Sequence, residues 1–99
     1  MNSKESQIME FKTDWRDEHL KTISAFANSN GGQLIVGLND SGQSIGLVDT
    51  KKLLEDIPNK IRNKLGIIPS VELETQQDNE IIRIVIMPST VPISYDGKF

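Results

Sequence analysis

The residues best suited to contacting a phosphate in this chain are six cations: Lys12 behind the first apolar segment, Arg16 and Lys21 in the helical segment that follows, and Lys60, Arg62 and Lys64 in a second helical segment. If the two helices face one way, the five helical cations build a positive rim, the arrangement that grips a nucleic-acid backbone. The same charges would also serve simply to solvate a helix face. Lys12 is assigned to the strand face opposite Glu10, as a phosphate contact or a charge partner. Asn28, Gly31 and Gly32 could offer backbone N–H groups to a phosphate. A helix must stop and a strand begin within those few residues, however, and that alone calls for unusual backbone angles. No Gly-x-x-x-x-Gly-Lys-Ser/Thr loop is present, so ATP binding is unsupported. Trp15 could stack a base, but at the first turn of an amphipathic helix it is expected to cover the core. With one histidine, His19, and no cysteine, a hydrolase triad, a thiolate metal site and a disulfide all fall away.

These residues need elements to position them. Ile8 to Lys12 reads as a strand, Thr13-Asp14 as an N-cap, and Trp15 to Asn28 as a helix whose apolar stripe is Leu20, Ile23, Phe26 and Ala27. His19 stands one position from that stripe and reads as a packed or partly exposed helix residue rather than a catalytic base. Gln33 to Leu38 reads as a strand and Asn39 to Gly42 as a turn with Asp40 at its bend. A returning strand around Ser44 to Val48 would complete a hairpin. Asp49-Thr50 forms the next N-cap, and Leu53, Leu54, Ile57, Ile61 and Leu65 mark a helix that ends near Gly66. Pro58 interrupts it at a cost of about 3 kcal/mol in a helix interior, which predicts a kink or two short helices. Val71 to Thr75 and Glu80 to Met87 form a second hairpin, the latter strand apolar on both faces apart from Arg83. Pro88 to Phe99 reads as an extended strap. The expected fold is α+β: a mixed, mostly antiparallel sheet with two main helices in a single small domain.

Ninety-nine residues suffice for one core. No run is apolar enough to span a bilayer and the N-terminus lacks the pattern of a signal peptide, so a cytoplasmic protein without a membrane partner is expected. Eleven basic residues against fourteen acidic ones give a net charge of −3, the wrong sign for affinity that rests on phosphate neutralisation. Binding depends on a local patch, however, and net charge averages over the whole surface.

Two segments carry a resemblance. The first is Glu5-Ser-Gln-Ile-Met-Glu10-Phe11-Lys12. The second is Ala25-Phe-Ala-Asn28-Ser-Asn-Gly31-Gly32, running on through Leu34-Ile-Val-Gly37-Leu-Asn-Asp40-Ser-Gly42 to Gly46. In this combination and order they resemble the Schlafen-type AlbA_2 module, described as DNA-binding and found at the N-terminus of bacterial transcriptional regulators and ATP-dependent helicase-related proteins. The resemblance covers essentially the whole chain. It implies that residues 1–99 are one such domain at the head of a longer protein, with downstream domains among its partners. Related domains in animal Schlafen proteins cleave RNA. There two glutamates five residues apart and an aspartate in the following hairpin form a metal-dependent site, and by motif those roles fall on Glu5, Glu10 and Asp40. Such carboxylates suit Mg²⁺ or Mn²⁺. Five residues apart on an ideal strand places two side chains on opposite faces, and on a helix about 140° apart, so an irregularity between Glu5 and Glu10 is required.

Three functions follow as expectations. The first is a nucleic-acid-binding module, for DNA or RNA, that works mainly through backbone contacts in a transcriptional regulator. The second is an Mg²⁺- or Mn²⁺-dependent endoribonuclease using Glu5, Glu10 and Asp40. The third is an interaction module that forms a homo-oligomer through the strap and exposed strand edges. No nucleotide cofactor is expected.

Overall fold

A computed structural model of the protein describes residues 8–95. Strand β1 spans Ile8–Lys12, a 3₁₀ turn Asp17–His19 leads into helix α1 at Leu20–Ala27, and β2 spans Gly32–Val36. Helix α2 covers Thr50–Leu65, and β3 at Ser70–Gln76 and β4 at Asn79–Ile86 close the hairpin. The sheet order is β1-β2-β4-β3. β1 lies parallel to β2, as the intervening α1 crossover allows, and the other two pairings are antiparallel. The α+β architecture expected from the sequence is the one observed.

Register divides the sheet into two faces. Glu10 and Lys12 align with Leu34 and Val36, which with Ile82, Ile84 and Ile86 form the core under both helices. The central strands β2 and β4 carry branched apolar side chains on both faces. On the face away from the helices, Ile35 and Ile81 pack with Leu38 and Phe11.

Two glycines in this frame are fixed by geometry. A side-chain carbon on Gly32 would fall 2.6 Å from the ring of Phe26, so the ring can lie against the start of β2 only if residue 32 has no side chain. Gly37 has φ +110, and a side-chain carbon there would press on Leu47 and Ile81.

Several expectations are corrected. The first helix does not run from Trp15 to Asn28. It opens as a 3₁₀ turn capped at Arg16, whose backbone N–H donates to His19 Nδ1 at 3.2 Å. Thr13-Asp14 therefore belongs to the loop.

The segment after Asn39 is not a returning strand. One bridge pairs Leu38 with Ser44. Beyond it Gly46 takes φ +82, while Ile45 and Val48 are 47% and 80% exposed. A strand there would have neither regular backbone angles nor a buried face.

Pro58 does not divide the second helix, and α2 runs through it. The bond it forfeits is the one to Leu54 O, and the helix is held on either side of Pro58 by Ile57 and Ile61, both fully buried. At about 1.5–3 kcal/mol for each buried side chain, their packing offsets the lost hydrogen bond.

At the helix start, Asp49 occupies the cap position in a left-handed conformation without a side-chain cap bond. Thr50 Oγ1 donates instead to Glu80 Oε1 at 2.6 Å. At the other end Gly66 caps in the left-handed region, its N–H donating to Arg62 O at 2.9 Å, as the sequence predicts.

Candidate nucleic-acid interface

Both helices lie on one face of the sheet, but the six nominated cations do not form one rim. Lys60 Nζ reaches Asp17 Oδ1 at 2.7 Å across the seam between the helices. Lys64 stands at the same seam, beside Asp17, Leu20 and Tyr95. The lysine contact holds the Asp17 carboxyl below its ordinary pKa, with the Trp15 indole N–H adding to the effect. Arg16 pairs with Asp14 at 3.4 Å, and Lys12 with Glu10 at 3.4 Å. Arg62 donates to Asn59 at 2.6 Å, a neutral partner that leaves its charge uncompensated. Among the described residues, Lys21, Arg62 and Lys64 are exposed and make no ion pair.

Sequence reasoning passed over Lys51. It is exposed on the first turn of α2, and eleven positions from Arg62 it falls within about 20° of that residue around the helix. Counting positions modulo the helical repeat would have paired the two. Lys52 is engaged with Asp56 at 3.1 Å, and that partner raises its pKa. In all, α2 carries five basic residues against two acidic ones. Glu72 and Glu74 of β3 lie on the opposite face of the sheet, where they align with Arg83 and Ile81. The helix side also carries exposed acids, Asp17 and Glu18 ahead of α1 and Glu55 on the same flank of α2 as Lys51 and Arg62, so the basic excess is confined to α2 itself.

The assignment of Lys12 to the face opposite Glu10 is wrong. Two residues apart on a strand, the side chains share a face, and their ion pair lies on the helix side of the edge strand. Of the three nominated carboxylates, Glu5 lies outside the described residues. Asp40 is exposed in the turn after β2. Gly42 in that turn lies against Phe11, where a side-chain carbon would stand 3.5 Å from the ring, and Phe11 points to the face opposite Glu10. Among the described residues no three His, Cys, Asp or Glu side chains gather where they could share a metal ion.

The motif residues that are well placed do structural work. Asn28 clamps the strap: its Nδ2 donates to Ile93 O and its Oδ1 accepts from Ile93 N, each at 2.7 Å. Ser89 N adds a bond to Ala27 O at 2.8 Å. No local pattern signals a partner 65 positions away. His19 is 6% exposed, and burial lowers its pKa, which suits a neutral ring accepting a backbone hydrogen bond. Arg83 sits on the open sheet face and makes a two-pronged contact with Glu74, at 2.7 and 3.0 Å, and a bond to Gln33 at 2.6 Å. The pairing lowers the Glu74 pKa and raises that of Arg83.

A small mixed sheet with both helices on one face, built on these two motifs, defines an α+β module of one recognisable class. The family model described as "Schlafen, AlbA_2" matches residues 5–99, and the chain belongs to that family. Among solved structures it is similar to the DIP2311 protein of Corynebacterium diphtheriae, at 22% identity and TM-score 0.74, over 96% of this chain and 20% of that one. This chain thus spans about a fifth of that protein's length. It is also similar to the N-terminal domain of the "Putative ATP-dependent DNA Helicase RecG-related Protein" of Nitrosomonas europaea, at 22% identity and TM-score 0.72, over 95% of this chain and 72% of that one. At these identities the likeness is one of fold. No helix among the described residues is long and apolar enough to cross a membrane.

Proposed function

We propose that this domain binds nucleic acid, DNA or RNA, mainly through the sugar-phosphate backbone, as the N-terminal module of a bacterial transcriptional regulator. The observation that carries the reading is the basic excess of α2, five cations against two acids, with Lys51 and Arg62 exposed together on one flank and Lys64 exposed on the other, at the seam with the helix that carries Lys21. Exposed cations of this kind contact phosphates without reading base edges, so affinity should depend strongly on salt and weakly on sequence. The helicase-related name of a structural neighbour points the same way. Fluorescence anisotropy with a labelled DNA duplex and a labelled RNA hairpin, each titrated at several salt concentrations, tests it. Binding that weakens steeply with salt supports the reading, and no binding at low salt refutes it.

A second reading is metal-dependent RNA cleavage by Glu5, Glu10 and Asp40. What favours it is access: Glu10 stands on an edge strand with its side chain 40% exposed, and Asp40 is exposed. Carboxylates of this kind would hold Mg²⁺ or Mn²⁺, which activates water and stabilises a leaving oxygen in phosphodiester hydrolysis. RNA cut in Mn²⁺, but intact with EDTA or with Glu10→Ala, would support this second reading. RNA intact throughout would dismiss it.

A further inference from the structure

A cleft of about 370 Å³ opens between the loop after β1 and the loop that enters α2. It belongs to neither reading above. Its floor is apolar: Trp15, Leu47 and Leu53 are half-buried, with part of each side chain packed on the main core and part lining the cleft. Val48, 80% exposed, forms a wall. The indole is held in place on two sides. Its N–H donates to Asp17 Oδ1 at 3.2 Å, and its ring meets His19 edge-on, centroids 5.7 Å apart. The rim is acidic, with Asp14 and Asp49 both exposed. Arg16 approaches one oxygen of Asp14 at 3.4 Å. Asp49 sits at the head of α2 but makes no cap bond with its side chain. Lys52, the cation in the lining, is engaged with Asp56.

An apolar trough with an aromatic ring in it and carboxylates at its mouth is poorly suited to a phosphate, because the two acids of the lining, Asp14 and Asp49, outnumber its one cation, Lys52. It is well suited to a long side chain with a cationic end. The methylenes would lie along Leu47, Val48 and Leu53, the guanidinium over or beside the indole, and its N–H groups on the carboxylates. The volume falls within the range of about 300–1,000 Å³ usual for ligand pockets. We propose that this cleft receives an arginine side chain from a partner polypeptide, which would make the domain a protein-docking module on a surface distinct from the basic flank of α2.

The chain's only tryptophan lines this cleft, so its emission reports occupancy directly. The probe is the capped tripeptide acetyl-Gly-Arg-Gly-amide, compared with the same peptide carrying citrulline, which keeps the shape and loses the charge. A saturable change in emission is expected with the arginine peptide, and a much weaker one with citrulline. Asp49→Asn, which preserves the left-handed preference of residue 49, should raise the concentration needed by about tenfold, with an unchanged circular dichroism spectrum. Asp78→Asn, in the β3–β4 turn, should leave it unchanged. No saturable response, an equal response to citrulline, or saturation by a mononucleotide in place of the peptide would overturn the proposal. So would a concentration-dependent dimer of this chain that Asp49→Asn abolishes, because the occupant would then be a second copy.

Discussion

Replacing Asn28 by alanine should loosen the C-terminal strap, and the size of the effect can be worked from the clamp. The side chain makes two bonds to one residue, donating to Ile93 O and accepting from Ile93 N, each at 2.7 Å. A neutral intramolecular hydrogen bond contributes about 0.5–1.5 kcal/mol net, so Asn28→Ala should cost about 1–3 kcal/mol if the strap stays in place. Ile93 is 7% exposed and packs on the main core. Should the strap detach, the loss of that burial adds about 1.5–3 kcal/mol. For a domain of this size each kcal/mol lowers Tm by roughly 4–8 °C. Urea unfolding gives the total, and amide hydrogen exchange at Ile93 separates the two cases: slightly faster exchange for a weakened clamp, free exchange for a detached strap. Asn28→Asp keeps the acceptor for Ile93 N but turns a second acceptor oxygen toward Ile93 O, so it should cost at least as much as Asn28→Ala. A stability loss below about 0.5 kcal/mol, with protection at Ile93 unchanged, would refute the clamp and leave Asn28 as a helix terminator only.

Three further perturbations have defined outcomes. Gly32→Ala places a carbon 2.6 Å from the Phe26 ring and should cost about 1–3 kcal/mol by urea unfolding, with partial recovery when Phe26→Leu is added. Burial of His19 puts its folded pKa below the unfolded value of 6.5, so the unfolded chain binds the extra proton first. Stability contributed by the neutral ring is then complete above pH 6.5 and is lost as pH falls below it; the urea midpoint should drop between pH 7.5 and 5.5, and His19→Gln, which can still accept the Arg16 N–H, should flatten that drop. Glu74→Gln should cost no more than about 1 kcal/mol, since the Arg83 pair is partly exposed and screened; a larger loss would mean that the Arg83, Glu74 and Gln33 group organises the open sheet face.

What could be read from the sequence follows from how local each signal is. The periodicity of Leu53 to Leu65 and the apolar run of β4 are dictated by neighbours a few residues away, and both elements lie where the pattern places them. The Gly66 cap is equally local. Pro58 misled because its penalty is local while the compensation, Ile57 and Ile61 buried beneath both layers, is tertiary. Ser44 to Val48 reads like a strand, yet its pairing stops after the Leu38–Ser44 bridge and the Ile45 N–H bond to Gly37 O, because Gly46 turns the backbone away and Ile45 and Val48 stay exposed. The candidate cations were legible as residue types but not as a surface. Whether Lys60 meets solvent or Asp17 depends on how two helices pack; counting around one helix could only have matched Lys51 with Arg62 and Lys60 with Lys64, and set the two pairs on opposite flanks. Lys12 was misplaced by a miscount of the two-residue strand period, and the Asn28 clamp by the distance in sequence between Asn28 and Ile93.

The most direct test of the account is the salt dependence of nucleic-acid affinity in wild type and in a Lys51→Gln/Arg62→Gln double variant. Each phosphate contact to duplex DNA contributes a slope of about −0.9 in log K against log salt. Wild type should bind with a steep negative slope, and the double variant should bind more weakly with the slope shallower by about two. Binding that does not respond to salt, or a slope unchanged by the double substitution, would contradict the assignment of α2 as the nucleic-acid-binding surface.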